Sequence, residues 1–196
     1  MAHHIYNTRG LVLESTNVGE ANKMYTLFTA DVGVVRASAQ GVRLQKSKLR
    51  YSLQDFSFSN LSLVRGKEIW RITSAKIEKN LYTDFKERAD IVKVVARIFT
   101  LLKRLIVGEE INKVLFDVVH NAVDFLYTQE LTAEQVELFE KICVLRILSN
   151  LGYMAPKRGL AEFLGSEWSL DILNRFKPHQ KIALEEINHA LSASQL

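Results

Sequence analysis

With 196 residues, 47% of them hydrophobic and 24% charged, the chain has the balance of a folded globular protein and not that of a disordered one. Its single cysteine, Cys143, excludes an internal disulfide and a cysteine-rich zinc site, and no apolar run approaches the ~20 residues needed to cross a bilayer. The net charge of +4 is unevenly held: residues 1–80 carry 12 Lys/Arg against 6 Asp/Glu, or +6, and residues 81–196 carry 14 against 16, or −2.

That segregation points to an anionic polymer bound by the front part, with packing or protein contacts at the back. The first residues lack the apolar core of a secretion signal, so a reducing, cytoplasmic setting is expected. His3-His4 reads equally as an added or a native feature.

The first 80 residues read as strands separated by turns. Leu11, Val12 and Leu13 mark one strand, Ser15 to Glu20 is turn chemistry, and Lys23 to Thr29 is a β-rich run. Asp31-Val32-Gly33 makes a hairpin connection into Val34–Ala39, with Gly33 free to take a positive φ. Phe56 and Phe58 alternate with serines, but the apolar residues resume out of phase at Leu61 and Leu63, which suggests a bulge at Ser59-Asn60. Arg65-Gly66-Lys67 turns into a last strand, Glu68 to Ile77. Five strands, a bulge and one long connection fit a closed barrel of the OB type, with an open sandwich or an SH3-like barrel as rivals.

Beyond Asn80 the hydrophobic period changes from two to about 3.6. Ala89, Val92, Ala96, Phe99, Leu102 and Ile106 form a stripe, widened by Ile91, Val95, Ile98, Leu101 and Leu105; a second helix covers Ile111 to Leu126. Thr132-Ala133-Glu134-Gln135 matches a capping box. The helix it opens is apolar on nearly every side from Ile142 to Leu151, so it belongs in the middle of a bundle, ended by Gly152 as a left-handed cap. Short helical turns around Leu160–Phe163 and Leu170–Phe176 precede a last helix, His179 to Leu191. The expected fold is α+β in two domains: an OB-type barrel over 1–80 and a helical domain over 81–196.

Ala39-Gln40-Gly41-Val42-Arg43-Leu44-Gln45-Lys46-Ser47-Lys48-Leu49-Arg50 is the most distinctive stretch. Between Asp31 and Asp55 there are five Lys or Arg residues and no acid. Such a patch attracts polyanions, and a flexible basic loop beside a β-surface is a common way to hold a phosphate backbone; a solvated basic turn is the alternative.

The order Thr8-Arg9-Gly10-Leu11-Val12-Leu13, Gly19-Glu20, Thr26-Leu27-Phe28-Thr29, Gly33, and then Gly-x-Arg-x-x-Lys-Ser-x-x-Arg within Ala39–Arg50 resembles the RecO family of recombination mediators. Leu53-Gln54-Asp55-Phe56 and Val64-Arg65-Gly66 extend the likeness to about 70 residues. The resemblance implies an N-terminal OB fold that binds single- and double-stranded DNA and a helical domain behind it. It further implies a protein that is not an enzyme, anneals complementary strands and helps RecA displace single-strand-binding protein, usually with RecR. Many relatives carry a four-cysteine zinc motif in the region corresponding to about 153–177. This chain has no cysteine there, so no zinc and no other cofactor is expected.

Arg43, Lys46, Lys48 and Arg50 are the first candidates for phosphate contacts. Arg36 and Arg71 alternate with apolar neighbours on expected strands and are second candidates, with simple solvation as the alternative. Of the barrel aromatics, Tyr25, Phe28, Phe56 and Phe58 are assigned to core filling, while Trp70 is the candidate for base stacking. In relatives the helical domain holds a pocket for the acidic, apolar tail of single-strand-binding protein. Phe99, Leu102, Lys103, Arg104 and Leu105 would supply apolar walls and a cation for it, or else form an ordinary amphipathic helix.

His120, His179 and His189 show no ligand spacing, and Cys143 reads as a buried structural thiol. No Gly-rich phosphate loop, carboxylate pair or Ser-His arrangement gives enzymatic chemistry a foothold. The competing function is a protein-interaction adaptor whose OB fold docks another protein, with DNA contact incidental.

Overall fold

The computed structural model describes residues 4–106, 108–155, 159–165 and 167–193; His3, and Pro156 to Arg158 and Ser166 of the segment 153–177, lie outside them. Five strands run β1 Ile5–Val18, β2 Asn22–Thr29, β3 Gly33–Ala39, β4 Ser57–Arg65 and β5 Trp70–Asn80, with a four-residue helix α1, Leu49–Ser52, between β3 and β4. They close in the order β1-β2-β3-β5-β4, β4 returning to β1. All pairings are antiparallel except β3 with β5, which is parallel and narrow: Ala37 opposite Trp70 and Ser38 opposite Arg71. This is the OB-like arrangement expected from the sequence.

Alternation sets the inside of the barrel. Val35 and Ala37 on β3, and Trp70 and Ile72 on β5, are buried, whereas Arg36 and Arg71 between them are exposed. Val42 and Leu53, from either end of the basic segment, join the same core. Gly33 has φ 71, as its turn requires, and a Cβ there would lie 2.6 Å from the Glu110 carbonyl oxygen. Only glycine fits both demands.

Three local expectations need correction. The strand placed at Gly10–Glu14 runs from Ile5 to Val18, because Ser15 to Val18 pair in register with Tyr25 to Asn22; the ladder holds a polar stretch that carries no hydrophobic signal. The register breaks between Phe58 and Ser59, and the extra residue, Glu78, is on β5. β4 itself pairs with β1 without a break, and the change of phase read from its sequence arises because Phe58 packs on Phe99 outside the barrel while Leu61 and Leu63 face its core. The last strand also begins at Trp70 and runs to Asn80, past the expected end at Ile77.

Two compact units are present, Met1–Lys113 and Val114–Leu196, so the first reaches well beyond the boundary expected at Asn80. The reason is α3, Ala89–Leu105, which follows the short α2, Leu81–Asp84. Phe99 of α3 places its ring centroid 5.7 Å from Phe56 and 6.5 Å from Phe58. Phe56 sits at φ 65, uncommon for a side chain with a Cβ. It is held there by its own N–H donating to the Val12 carbonyl and its carbonyl accepting from Leu81 N–H. The buried face of α3 runs through Ile91, Val95, Ile98, Phe99, Leu102 and Leu105, leaving Ala89 exposed and Val92 and Ala96 half-buried.

The second unit contains α4, Lys113–Thr128, from Val114 onward, and α5, Ala133–Asn150, then α6, Ala161–Gly165, α7, Leu170–Phe176, and α8, Gln180–Ala193. The expected capping box opens α5: Thr132 Oγ1 accepts from Gln135 N–H, and Gln135 Oε1 accepts from Thr132 N–H. Helix α5 is the central one, packed against α6, α7 and α8 and stacked through Phe139 on Phe125 of α4. Past its end Gly152 has φ 77, and Tyr153 N–H donates back to the Leu148 carbonyl.

Candidate nucleic-acid interface

The basic segment is built as consecutive turns and not as the free loop its composition suggests. Asn22 Oδ1 accepts from Gly41 N–H at 2.8 Å, and Arg43 N–H donates to the Ala21 carbonyl at 2.9 Å. Leu44 N–H then reaches Gly41 O, and Ser47 N–H reaches Leu44 O. Turn-forming backbone groups, together with Val42 and Leu53 inserted in the core, fix the segment while its cations stay outside.

Between this segment and β2 lies a cleft of about 430 Å³ lined by Lys23, Tyr25, Val42, Arg43, Arg50, Leu53 and Gln54. Three of those seven residues are cations. Lys23 Nζ donates to Ser15 Oγ and Arg43 Nη1 to the Gly19 carbonyl, both neutral acceptors, and among the described residues neither cation is ion-paired with an acid. At the floor, the buried Tyr25 hydroxyl has its pKa raised, first by burial and then by the negative charge of Asp55.

The sequence candidates divide into three groups. Arg43 and Arg50 meet in the cleft. Lys46 and Lys48 are exposed on the adjoining turns, while Arg36 and Arg71 stand on the outer face of the neighbouring strands β3 and β5. None of these six cations is ion-paired with an acid among the described residues.

Trp70 does not serve as a stacking platform. It is 3% exposed, edge-on to Tyr6 at 5.1 Å, with Arg65 over its ring at 5.6 Å and its Nε1 donating to Glu109 Oε1 at 2.9 Å. Opposite Ala37 in the parallel pairing, and alternating with the outward Arg71, it belongs to the barrel core.

The candidate partner pocket on α3 is not formed either. Phe99, Leu102 and Leu105 are buried within their own unit, Lys103 pairs with Glu14 at 3.0 Å, and Arg104 stands exposed. The apolar stripe that suggested walls is the one that holds α3 to the barrel. The second unit has its own cleft of about 590 Å³, with Val114, Val118 and Phe125 along one wall and Arg146, its guanidinium 4.2 Å from the Trp168 ring, at another.

Two residues were missed. Lys23 is twenty positions before Arg43, but it pairs with Ala39, so the β2–β3 hairpin delivers it to the start of the basic segment. Tyr51, beside Arg50 on α1, is 75% exposed; an aromatic inside a basic run was the available signal. Among the described residues no group of three or more His, Cys, Asp or Glu could hold a metal ion, and no helix is long and apolar enough to cross a membrane.

Residues 1–81 match the family described as recombination protein O N terminal, in agreement with the resemblance read from the front of the sequence. A DNA repair protein RecO from Dehalococcoides mccartyi is 27% identical over 158 residues, 81% of this chain and 60% of that protein. One from Rubrobacter xylanophilus is 28% identical over 158 residues, 81% of this chain and 62% of that protein. One from Desulforamulus reducens is 30% identical over 122 residues, 62% of this chain and 47% of that protein. The chain thus spans about three fifths or less of the length of these relatives.

Proposed function

We propose that this chain, whose front 81 residues match the RecO N-terminal domain, is a non-catalytic mediator of DNA repair and recombination that binds single- and double-stranded DNA through the barrel. In this reading Arg43, Arg50 and Lys23 receive phosphates in the cleft. Lys46 and Lys48 extend the track along the turns, and Arg36 and Arg71 add to the positive field on the outer strands. The observation that carries it is the convergence of three cations on one cleft, with further unpaired cations around it. Phosphate neutralisation by Lys and Arg gives affinity without base sequence, which an annealing protein needs.

Holding two strands by their backbones leaves their base edges free to pair, so the same surface supports annealing of complementary strands. Assistance to a RecA-like recombinase on strands covered by single-strand-binding protein, with a RecR-like partner, follows from the family likeness. Docking of the acidic, apolar tail of single-strand-binding protein rests on the family likeness alone, because the cleft of the second unit sets Asp124 and Glu167 against the one guanidinium of Arg146. The charge division favours DNA at the first unit: residues 1–113 hold 19 Lys/Arg against 11 Asp/Glu, or +8, and residues 114–196 hold 7 against 11, or −4.

The test is an anisotropy titration against labelled oligonucleotides at two salt concentrations. Arg43→Glu with Lys46→Glu should weaken binding and flatten its dependence on salt. Unchanged affinity would refute the phosphate assignment. Strand annealing measured with and without a single-strand-binding protein separates a mediator from an adaptor that docks only proteins.

A further inference from the structure

Tyr51 combines features that an incidental surface tyrosine does not. Its side chain is 75% exposed, and among the described residues it makes no hydrogen bond or ring contact. The backbone beneath it is nevertheless fixed. Ser52 is buried and its carbonyl accepts from Ser59 Oγ at 2.5 Å, while Leu53 next in sequence is 1% exposed and belongs to the barrel core. The preceding residue, Arg50, lines the basic cleft. An aromatic residue is thus held out to solvent by a clamped main chain, between two residues in sequence, Arg50 and Ser52, of which the first lines the basic cleft.

We propose that Tyr51 is a base-stacking platform that makes this surface prefer single strands over duplex DNA. The inference rests on the reading of the cleft as a phosphate site and deepens it. Phosphates are common to both forms of DNA, so Lys23, Arg43 and Arg50 cannot tell them apart. A duplex keeps its base faces against one another. A single strand offers free faces to a ring beside its backbone, and every base has one, so stacking selects strand type without selecting sequence. Because the backbone beneath the ring is already fixed, only the two side-chain torsions of Tyr51 are ordered on binding. The buried Tyr25, Phe28, Phe58 and Trp70 cannot take this role. Tyr82, 59% exposed in the same unit, has no residue of the basic cleft beside it in sequence and precedes Asp84 by two residues, so it serves as the control.

The experiment uses the full chain and three labelled probes of equal length: an oligothymidylate, a duplex, and a strand of abasic sites. Tyr51→Ala should lower affinity for the oligothymidylate by about 5- to 100-fold, leaving the duplex, the abasic strand and all salt slopes within twofold of the starting protein. Tyr51→Phe should restore the loss, and Tyr82→Ala should change nothing. An equal loss on all three probes, or no loss on the oligothymidylate, would overturn the stacking role. If Arg43→Glu with Lys46→Glu leaves every affinity intact while Tyr51→Ala remains selective, the phosphate reading fails and stacking stands. Absence of binding to all probes by the unaltered protein would overturn both.

Discussion

Arg43 donates from Nη1 to the carbonyl oxygen of Gly19 at 2.8 Å, tying the basic segment to the β1–β2 turn. A cation at the cleft is thereby part of the scaffold as well as part of the charge. Lys46, which makes no such bond among the described residues, is charge alone. Arg43→Ala should speed amide hydrogen exchange over residues 41–44, because a hydrogen bond contributing about 1 kcal/mol is lost. Lys46→Ala should leave exchange there unaltered. Equal protection in both variants would show that the Gly19 contact does not organise the turn.

Trp70 should behave as a core residue. Replacing it with Ala should cost about 3–5 kcal/mol in a denaturant titration, as for other buried aromatics. Trp70→Leu, a smaller truncation, should bind oligonucleotides like the unaltered protein once folded. A selective loss of affinity in folded Trp70→Leu would return the ring to the binding surface.

Phe99 is the reason the first unit extends past Asn80. Phe99→Ala removes contacts with Phe56 and Phe58 and is expected to destabilise the protein by about 3–5 kcal/mol. A fragment ending at residue 81 should unfold at lower denaturant than one ending at residue 113. Equal midpoints would put the boundary back at the end of β5.

Gly33→Ala meets two obstacles at once: a positive φ, and a Cβ 2.6 Å from the Glu110 carbonyl oxygen. The expected loss is at least about 1–3 kcal/mol, read from the thermal midpoint. Gly19→Ala, with a positive φ but open space around it, should cost less. Equal losses at the two sites would mean that the contact with residues 109 and 110 contributes nothing.

Burial pushes the Cys143 thiol from 9.0 up to about 12, with Arg146 opposing the shift. The folded state therefore favours the protonated thiol. Its contribution to stability is complete below pH 9 and is lost as pH rises toward about 12, because the unfolded chain releases the proton first. Burial brings Arg146 down to about 10, which acts in the opposite sense over the range above that value, but Arg146 is present in both proteins compared. Cys143→Ala should consequently lose less stability than the unaltered chain between pH 9 and 11. In the native protein at pH 8, iodoacetamide should label Cys143 only as fast as the chain unfolds. Rapid native-state labelling would contradict the burial.

Much of the architecture is legible in residue patterns because it rests on short-range rules. Thr132 and Gln135 announce the start of α5 through a bond between near neighbours, and Gly152 announces its end. The alternation of Arg36 with Val35 and Ala37 shows which side of β3 faces outward. Even the family likeness is a local matter, carried by ordered turns and by the spacing of Gly41, Arg43, Lys46, Ser47 and Arg50.

Long-range relationships escaped that reading. The degree to which Trp70 is covered depends on partners distant in the chain, among them Ala37 opposite it on β3, 33 residues away, and Glu109, which accepts from its Nε1. The stripe containing Phe99, Leu102 and Leu105 was equally compatible with a ligand pocket and with a packing face, since both require apolar residues at helical spacing.

By itself, then, the order of amino acids determined the strands and helices, the central place of α5 and the concentration of positive charge ahead of Arg50, because each follows from neighbours in the chain. Which cations share a cleft, which aromatic is buried and which is offered to solvent, and how far the barrel's unit extends were decided only when distant segments met. Side-chain direction and burial depend on those partners, and no local pattern names them.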